Sequence, residues 1–309
     1  MTLTELRYIT AVAQHRHFGR AAESCYVSQP TLSVAVKKLE DELGVTLFER
    51  SRTEIGVTPI GEQIVAQARK VLGEVGVLEQ LAASDRDELG TPLRLGVIYT
   101  IGPYLLPPLI ARLREEAPGM TLLVTENFTD ALADELREGD LDAAILSLPF
   151  DQPGIVTQDL YDEEFVAVLP REHPLAAQEE VTAEALAAEN LLLLKARNCF
   201  REQVLSACPA CAAAGQEQDS LARTLEGSSL ETIRQMTAAG AGVTVLPATS
   251  INHHDALEDL LAYRPFAAPR PQRTVCLAYR RSFTRPNAIA SLRRAVLESG
   301  LDGVSKYPI

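Results

Sequence analysis

Gly90-Thr91-Pro92 separates two hydrophobic patterns, and that change of period constrains the fold of this chain more than any other feature. Before it, apolar residues recur every three or four positions, as in helices with one buried face; after it, short β-prone runs alternate with helical ones. Leu3, Leu6, Ile9 and Val12 line one face of a first helix, with Thr2 and Glu5 at capping-box spacing. A second helix runs from Phe18 to about Ser24. A third starts after Ser28, a good N-cap, with Pro30 in its first turn, Leu32, Val36, Leu39 and Leu43 as its buried stripe, and Gly44 as its stop. Two helices joined by the short turn 25–27, the second opening on small polar side chains, have the sequence form of a helix-turn-helix. The β-prone pieces 45–48 and 56–58 flank Arg50, Ser51 and Arg52 and suit a small basic wing. From Pro59 to about Leu89, Ile64, Ala68, Val71, Val75, Leu78 and Leu81 recur at helical spacing. So small a domain offers that stripe no partner, which implies a packing face for a second copy of the chain.

Beyond Pro92 the pattern predicts strands at 93–98, 121–126, 142–147, 165–169, 190–194, 242–246 and 274–279. Helices fit 107–116, 130–138, 182–188, 198–207, 228–239 and 285–299. This alternation predicts an α/β arrangement with mainly parallel sheets, so the chain as a whole is α+β. Periodicity leaves open whether the strands form one large sheet or two lobes with a cleft.

The net charge of −13 over 309 residues argues against binding nucleic acid only if it is spread evenly, because phosphate neutralisation needs clustered Lys and Arg. It is not even. Residues 1–70 hold nine Lys/Arg against eight Asp/Glu, and the remainder holds twenty against thirty-four. The acidity belongs to the later segment. The N-terminal sequence lacks a secretion pattern, and the longest uncharged apolar run, 95–111, is broken by Gly and Pro; a cytoplasmic protein without a membrane span is expected. Five cysteines, Cys25, Cys199, Cys208, Cys211 and Cys276, are an odd count that argues against a structural disulfide framework. A Gly-rich phosphate loop and a supported Ser/His/Asp set are both missing, so neither an enzyme nor a cofactor is expected.

The blocks Phe18-Gly-Arg-Ala-Ala-Glu, Val27-Ser-Gln-Pro-Thr-Leu-Ser, Lys38-Leu-Glu-Asp-Glu-Leu-Gly-Val, Leu47-Phe-Glu-Arg and Thr58-Pro-Ile-Gly resemble the N-terminal domain of LysR-type transcriptional regulators. The resemblance continues through Tyr99-Thr-Ile-Gly-Pro-Tyr-Leu-Leu-Pro, Asn198-Cys-Phe-Arg-Glu-Gln-Val-Leu-Ser-Ala-Cys and Ser228-Ser-Leu-Glu-Thr-Ile-Arg, and is to the peroxide-sensing OxyR branch. It implies a winged helix-turn-helix (1–58), a linker helix that dimerises (59–90), and a regulatory domain (91–309) shaped like a two-lobed periplasmic binding protein. Lobe I would hold about 91–163 and 268–309, and lobe II about 164–267. It further implies a homotetramer, an activator of transcription, and as partners double-stranded promoter DNA, hydrogen peroxide as signal, and RNA polymerase.

The third helix opens with Ser28, Gln29, Pro30, Thr31 and Ser33, followed by Lys37. Gln bonds adenine bidentately, Ser and Thr bond bases or phosphates, and Lys neutralises phosphates. A solvated helix face is the plain reading of such a stretch; the family blocks favour DNA contact, with Arg50 and Arg52 as wing contacts.

Asn198 as N-cap places Cys199 at the first helical position, where the helix dipole, with Arg197 and Arg201 nearby, favours the thiolate that attacks peroxide. Cys208 lies nine residues on, roughly 13 Å along a continuous helix, whereas a disulfide needs Cα atoms about 4.4–6.8 Å apart. A bond between them requires the helix to unwind. On spacing alone two buried apolar cysteines remain open. The resemblance makes Cys199 the peroxidatic thiol and Cys208 the resolving one, with peroxide held by Thr100, Thr129, Asn198 and Arg273; Asp130 and Ser229 are weaker candidates. The branch commonly has His where Asn198 stands, and Asn cannot act as an acid or base at neutral pH. That departure keeps a second reading, a LysR-type regulator whose cleft binds a small effector and whose cysteines do not switch. Cys208-Pro-Ala-Cys211 resembles a redox C-x-x-C or half a zinc site, but two further ligands are wanting and His253-His254 has no supporting spacing, so no metal is expected. Cys211 is expected to be a bystander, with a thiol competing with Cys208 as the alternative.

Because the reading segment is only weakly positive, one copy alone should bind DNA weakly. Protection of several major-groove half-sites at the affinity-determining concentration is the expected footprint; full affinity on one half-site would contradict it.

Overall fold

The computed structural model describes residues 1–50, 55–84, 88–208, 229–251, 257 and 259–308, without the side chains of 50, 77 and 79–84. Chain contacts form two compact units, Met1–Arg86 with Arg137–Asp140 and Asp87–Leu136 with Leu141–Ile309.

In the first unit α1 (Leu3–His15) starts at a capping box in which Thr2 and Glu5 satisfy each other's backbone N–H groups. Next come α2 (Phe18–Ser24) and α3 (Gln29–Leu43), whose N-cap Ser28 accepts from the Thr31 N–H and whose C-cap Gly44 takes φ 70°. Leu6, Ile9, Val12, Ala21, Leu32, Val36 and Leu39 form the core with Val65 and Ala68 of α4 (Pro59–Ser84). Two residues of the expected stripes differ. Leu3 and Leu43 are exposed, each on a terminal turn where the stripe outruns its neighbours. Strands β1 (Phe48–Arg50) and β2 (Ile55–Val57) pair antiparallel as a wing, with Phe48 opposite Val57. The wing starts later than position 45 because the preceding backbone is tied to α3. Val45 N–H donates to the Glu40 carbonyl, and the Leu47 and Phe48 N–H groups donate to Glu40 Oε1 at 2.7 and 3.2 Å. Val71 and Leu78 of α4 are exposed, so that part of its apolar stripe has no cover within the described residues.

The second unit is built on a sheet of order β4-β3-β5-β10-β6-β8-β7, with β9 and β11 added to β6. The strands are β3 (Leu93–Ile98), β4 (Leu122–Asn127), β5 (Ala143–Ser147), β6 (Ile155–Pro170), β7 (Leu191–Leu192), β8 (Val243–Pro247), β9 (Leu261–Pro265), β10 (Gln272–Arg280) and β11 (Val304–Lys306). The helices are α5 (Gly102–Glu116), α6 (Thr129–Glu138), α7 (Ala183–Ala187), α8 (Cys199–Ala207), α9 (Leu230–Ala238) and α10 (Pro286–Leu297). The expectation of mainly parallel strands is corrected. Among the named strands of the described residues, β3 with β4, β3 with β5, and β7 with β8 pair parallel; β10 runs antiparallel to β5 and β6, and β6 antiparallel to β8, β9 and β11. The cause is β6 itself, which starts ten residues before the expected 165. That first stretch carries Gln158, Asp159 and Asp162, so it lacks the apolar run of a buried strand.

Two hydrophobic cores result. One gathers Leu93, Leu95, Leu105, Leu109, Ile145, Leu277 and Leu292, the other Phe165, Val168, Leu186, Phe200, Val204, Ile233 and Leu246. The choice between one sheet and two lobes is thus answered by both: β6 is a strand of each half.

Glu40 ties α3 to the wing. Glu40→Ala, which leaves two buried N–H groups without their acceptor, is expected to lower the stability of the first unit by about 1–3 kcal/mol, whereas Glu40→Gln keeps the acceptor and most of the stability. Urea unfolding of the full-length chain, monitored by hydrogen exchange in α3, measures both.

Candidate functional site

Helix α8 is anchored by its own cap: Asn198 Oδ1 accepts from the Phe200 N–H at 3.1 Å, and Cys199 is the first helical residue. Its side chains divide between the two cores. Cys199 packs against the β3–β5 core, while Phe200 and Val204 are buried in the other. Cys208, the C-cap, lies with Ala183, Ala187, Leu191 and Leu205, its sulfur 3.3 Å from the Ala183 carbonyl oxygen. The two sulfurs therefore belong to different apolar clusters. Cys25, Cys199 and Cys276 are free thiols. The Cys199–Cys208 bond is thus unmade in this state. Cys211, His253 and His254 lie outside the described residues, which hold no group of three candidate metal ligands.

Thr129, Asn198 and Cys199 line one cleft of about 440 Å³, together with Asp130, Pro149, Phe150, Asp151, Arg197 and Glu202. Thr129 begins α6, yet its buried hydroxyl has no hydrogen-bond partner among the described residues, so it does not serve as a cap. An unpartnered buried hydroxyl lining the same cleft as a free thiol is an arrangement suited to a small polar guest. The sequence did not single out Gln203. It stands four residues after Cys199, donates to Ser147 Oγ at 2.7 Å and to the Leu148 carbonyl at 3.0 Å, and leaves its buried Oε1 unpartnered. The i, i+4 spacing on one helix face was the available signal.

Thr100 and Arg273 are not among the residues lining this cleft. Arg273, buried, donates to Thr100 Oγ1 at 2.9 Å and to the Thr100 carbonyl at 3.1 Å, pairs with the fully buried Glu163 at 2.7 Å, and lies 5.1 Å over the Phe200 ring. Glu163 also accepts from the Thr249 N–H at 2.9 Å and from its hydroxyl. Buried charges need such complete pairing; removing one partner of a buried pair costs about 3–5 kcal/mol. Arg197 and Arg201, expected to add positive charge near Cys199, each have a partner. Arg197 pairs with Asp130, and Arg201 donates to the Leu194 carbonyl at 2.9 Å. Ser229 caps α9 through the Thr232 N–H.

In the first unit Gln29, Pro30 and Thr31 are exposed at the start of α3, Ser28 and Thr31 hydroxyls bond each other at 2.8 Å, and Lys37 pairs with Asp41 at 2.8 Å. Ser33 is half-buried, Lys38 pairs with Glu5 at 3.2 Å, and the Arg50 side chain and Arg52 lie outside the described residues.

Residues 86–300 match the LysR substrate binding domain, and residues 3–62 match the bacterial regulatory helix-turn-helix protein of the lysR family. The chain belongs to the LysR family of transcription regulators. Among LysR-family proteins it is 41% identical to the hydrogen peroxide-inducible genes activator of Pectobacterium carotovorum subsp. carotovorum, covering 91% of this chain and 90% of that protein. It is 39% identical to the DNA-binding transcriptional dual regulator OxyR of Escherichia coli K12 over the whole of both chains. Its structure resembles full-length OxyR C199D from Pseudomonas aeruginosa, with TM-score 0.75, 48% identity, and coverage of 100% of this chain and 99% of that one. A reduced form of OxyR from N. meningitidis covers 70% of this chain, at TM-score 0.67 and 45% identity. This LysR-family chain therefore falls in the OxyR branch. No helix among its described residues is long and apolar enough to cross a membrane.

Burial, then Asp159, pushes the Cys276 thiol up to about 12. A thiol so raised is only roughly one part in ten thousand thiolate at pH 8. Brief iodoacetamide treatment of the folded chain at pH 8 is expected to leave Cys276 unmodified while Cys199 is alkylated, as read by peptide mass spectrometry.

Proposed function

We propose that this LysR-family chain is a transcription regulator that senses hydrogen peroxide through Cys199. One observation carries the reading: a free thiol at the first position of α8 shares a cleft with the buried, unpartnered hydroxyl of Thr129. The Cys199 thiolate attacks one peroxide oxygen, the O–O bond breaks, and the departing hydroxide takes up a proton to give water; Cys199 becomes the sulfenic acid. Thr129 and the Asn198 side chain orient the peroxide, and Thr100 and Arg273 support the site from behind Phe200 by fixing α8. Cys208, as a thiol, then attacks the sulfenic sulfur and displaces hydroxide, so the S–S bond completes a two-electron oxidation.

Separation of the two sulfurs into different apolar clusters makes the second bond a structural event. Cys199 reaches Cys208 only if α8 unwinds and Phe200 and Val204 leave their core, which supports coupling of oxidation to shape. The output is altered binding to promoter DNA in the cytoplasm through Ser28, Gln29, Pro30, Thr31, Ser33 and Lys37 on α3 and Arg50 and Arg52 on the wing, with RNA polymerase as partner. Exposed Val71 and Leu78 on α4 support dimerisation through residues 59–90, between a reading head of 1–58 and a regulatory domain of 91–309, and dimers pair as tetramers. A cleft of about 440 Å³ also suits a small organic effector, which sustains the second reading, a regulator whose cysteines do not switch.

Thiol mapping of the fully reduced chain after sub-stoichiometric peroxide separates the two. A selective Cys199–Cys208 bond is expected; unreactive thiols or uniform oxidation of all five favour the effector. Cys199→Ser is expected to keep the reduced promoter footprint in peroxide. Thr129→Val should slow Cys199 oxidation by about tenfold to a hundredfold through loss of one hydrogen bond to the reacting oxygens, measured by stopped flow.

A further inference from the structure

Three consecutive residues at the start of α6 face the segment that leads into Cys199. The middle one, Thr129, offers the unpartnered hydroxyl; the outer two hold Arg197. The Arg197 guanidinium donates to Asp130 Oδ2 from Nη2 at 3.1 Å and from Nε at 3.4 Å, and lies 5.0 Å over the ring of Phe128, which Tyr99 in turn meets edge-on at 5.1 Å. Arg197 is two residues before Cys199, and the chain between them is a tight turn: the Asn198 N–H donates to the Lys195 carbonyl at 3.0 Å, and the Arg201 N–H to the Asn198 carbonyl at 3.0 Å. Whatever fixes Arg197 therefore fixes the Cys199 backbone within two peptide units.

We propose that Arg197 is a positioning residue for the oxidation of Cys199: clasped by Asp130 and Phe128, it holds the start of α8 against α6 so that the sulfur stays in the cleft that Thr129 also lines. The proposal rests on the reading of Cys199 as the peroxide-reactive thiol. It assigns a function to a guanidinium whose charge is already taken by Asp130 and which is therefore not a free cation beside the sulfur. Both contacts are at the surface, where ion pairs and cation–π contacts are individually weak. A weak clasp matches what the site has to do. It must hold the thiol in place while peroxide binds, then release it when α8 unwinds toward Cys208.

The two steps therefore respond to the clasp with opposite signs. Holding Cys199 in place speeds the first step, because a reacting group kept in register loses less freedom on reaching the transition state. Holding α8 against α6 slows the second, because the clasp has to open before the sulfurs meet.

The experiment uses the fully reduced, full-length chain and follows peroxide oxidation by stopped flow, with sulfenic acid trapped by dimedone in a Cys208→Ser background and disulfide formation followed with Cys208 present. Arg197→Ala and Asp130→Asn are each expected to slow sulfenic acid formation about two- to fivefold, Arg197→Ala the more, and to speed disulfide formation by a similar factor. Arg197→Lys, which keeps the charge but loses the planar stack, should lie between. The exchanged pair Arg197→Asp with Asp130→Arg should recover much of the first rate. Raising the salt to 1 M should slow the first step of the unaltered chain and leave that of Arg197→Ala unchanged. An Arg197→Ala rate equal to the unaltered one, or both steps slowed together without salt dependence, overturns the proposal while leaving the peroxide reading in place. A Cys199 that peroxide does not oxidise in the unaltered chain overturns both.

Discussion

The buried pair between Arg273 and Glu163 is the contact on which the regulatory unit depends. Glu163 lies on β6, the strand that both halves share, and Arg273 stands opposite it in the β10 register. From there the bonds reach Thr100 after β3, Thr249 after β8, and the ring of Phe200 on α8. One charged pair thus ties together both cores and the helix that carries Cys199. Its desolvation is offset because every branch of the network ends on a hydrogen-bonding or aromatic partner.

Helix α8 is shared by the two halves of that arrangement. It is short, nine residues, with its first residue against one core and Phe200 and Val204 in the other. A helix divided between two cores is stable only while both hold it. Forming a covalent bond between its first residue and its C-cap removes the helix itself, so a local chemical change must be answered by repacking on both sides.

Much of the local structure was legible in the sequence. Thr2 with Glu5, Ser28, Gly44 and Asn198 each act at the position their side-chain chemistry prescribes, because caps are satisfied by neighbours within four residues. The span of α8 follows from the same logic. The early part of β6 was not legible, since its blocks of polar residues, 157–159 and 162–164, carry neither an apolar run nor strict alternation and become a strand only with β10 and β11 laid against it. Nor was the fate of the cations around Cys199: Arg197 and Arg201 are close in sequence to the thiol, but their partners are Asp130, Phe128 and a backbone carbonyl supplied by the fold. Gln203 was missed because a glutamine on a helix is ordinary until its carbonyl oxygen is found buried without a partner.

The sequence by itself determined the helical reading head, the change of period at Gly90-Thr91-Pro92, the uneven charge, and a cysteine placed on a helix N-terminus. All of these rest on local hydrogen bonding and on composition, which need no distant residue. Only the tertiary structure decided that Thr129 joins Cys199 in one cleft, that Arg273 is committed to Glu163, and that the sheet is mostly antiparallel. Those outcomes depend on which strand lies beside which, and strand pairing between residues a hundred positions apart is fixed by the burial of whole faces rather than by any one residue's preference.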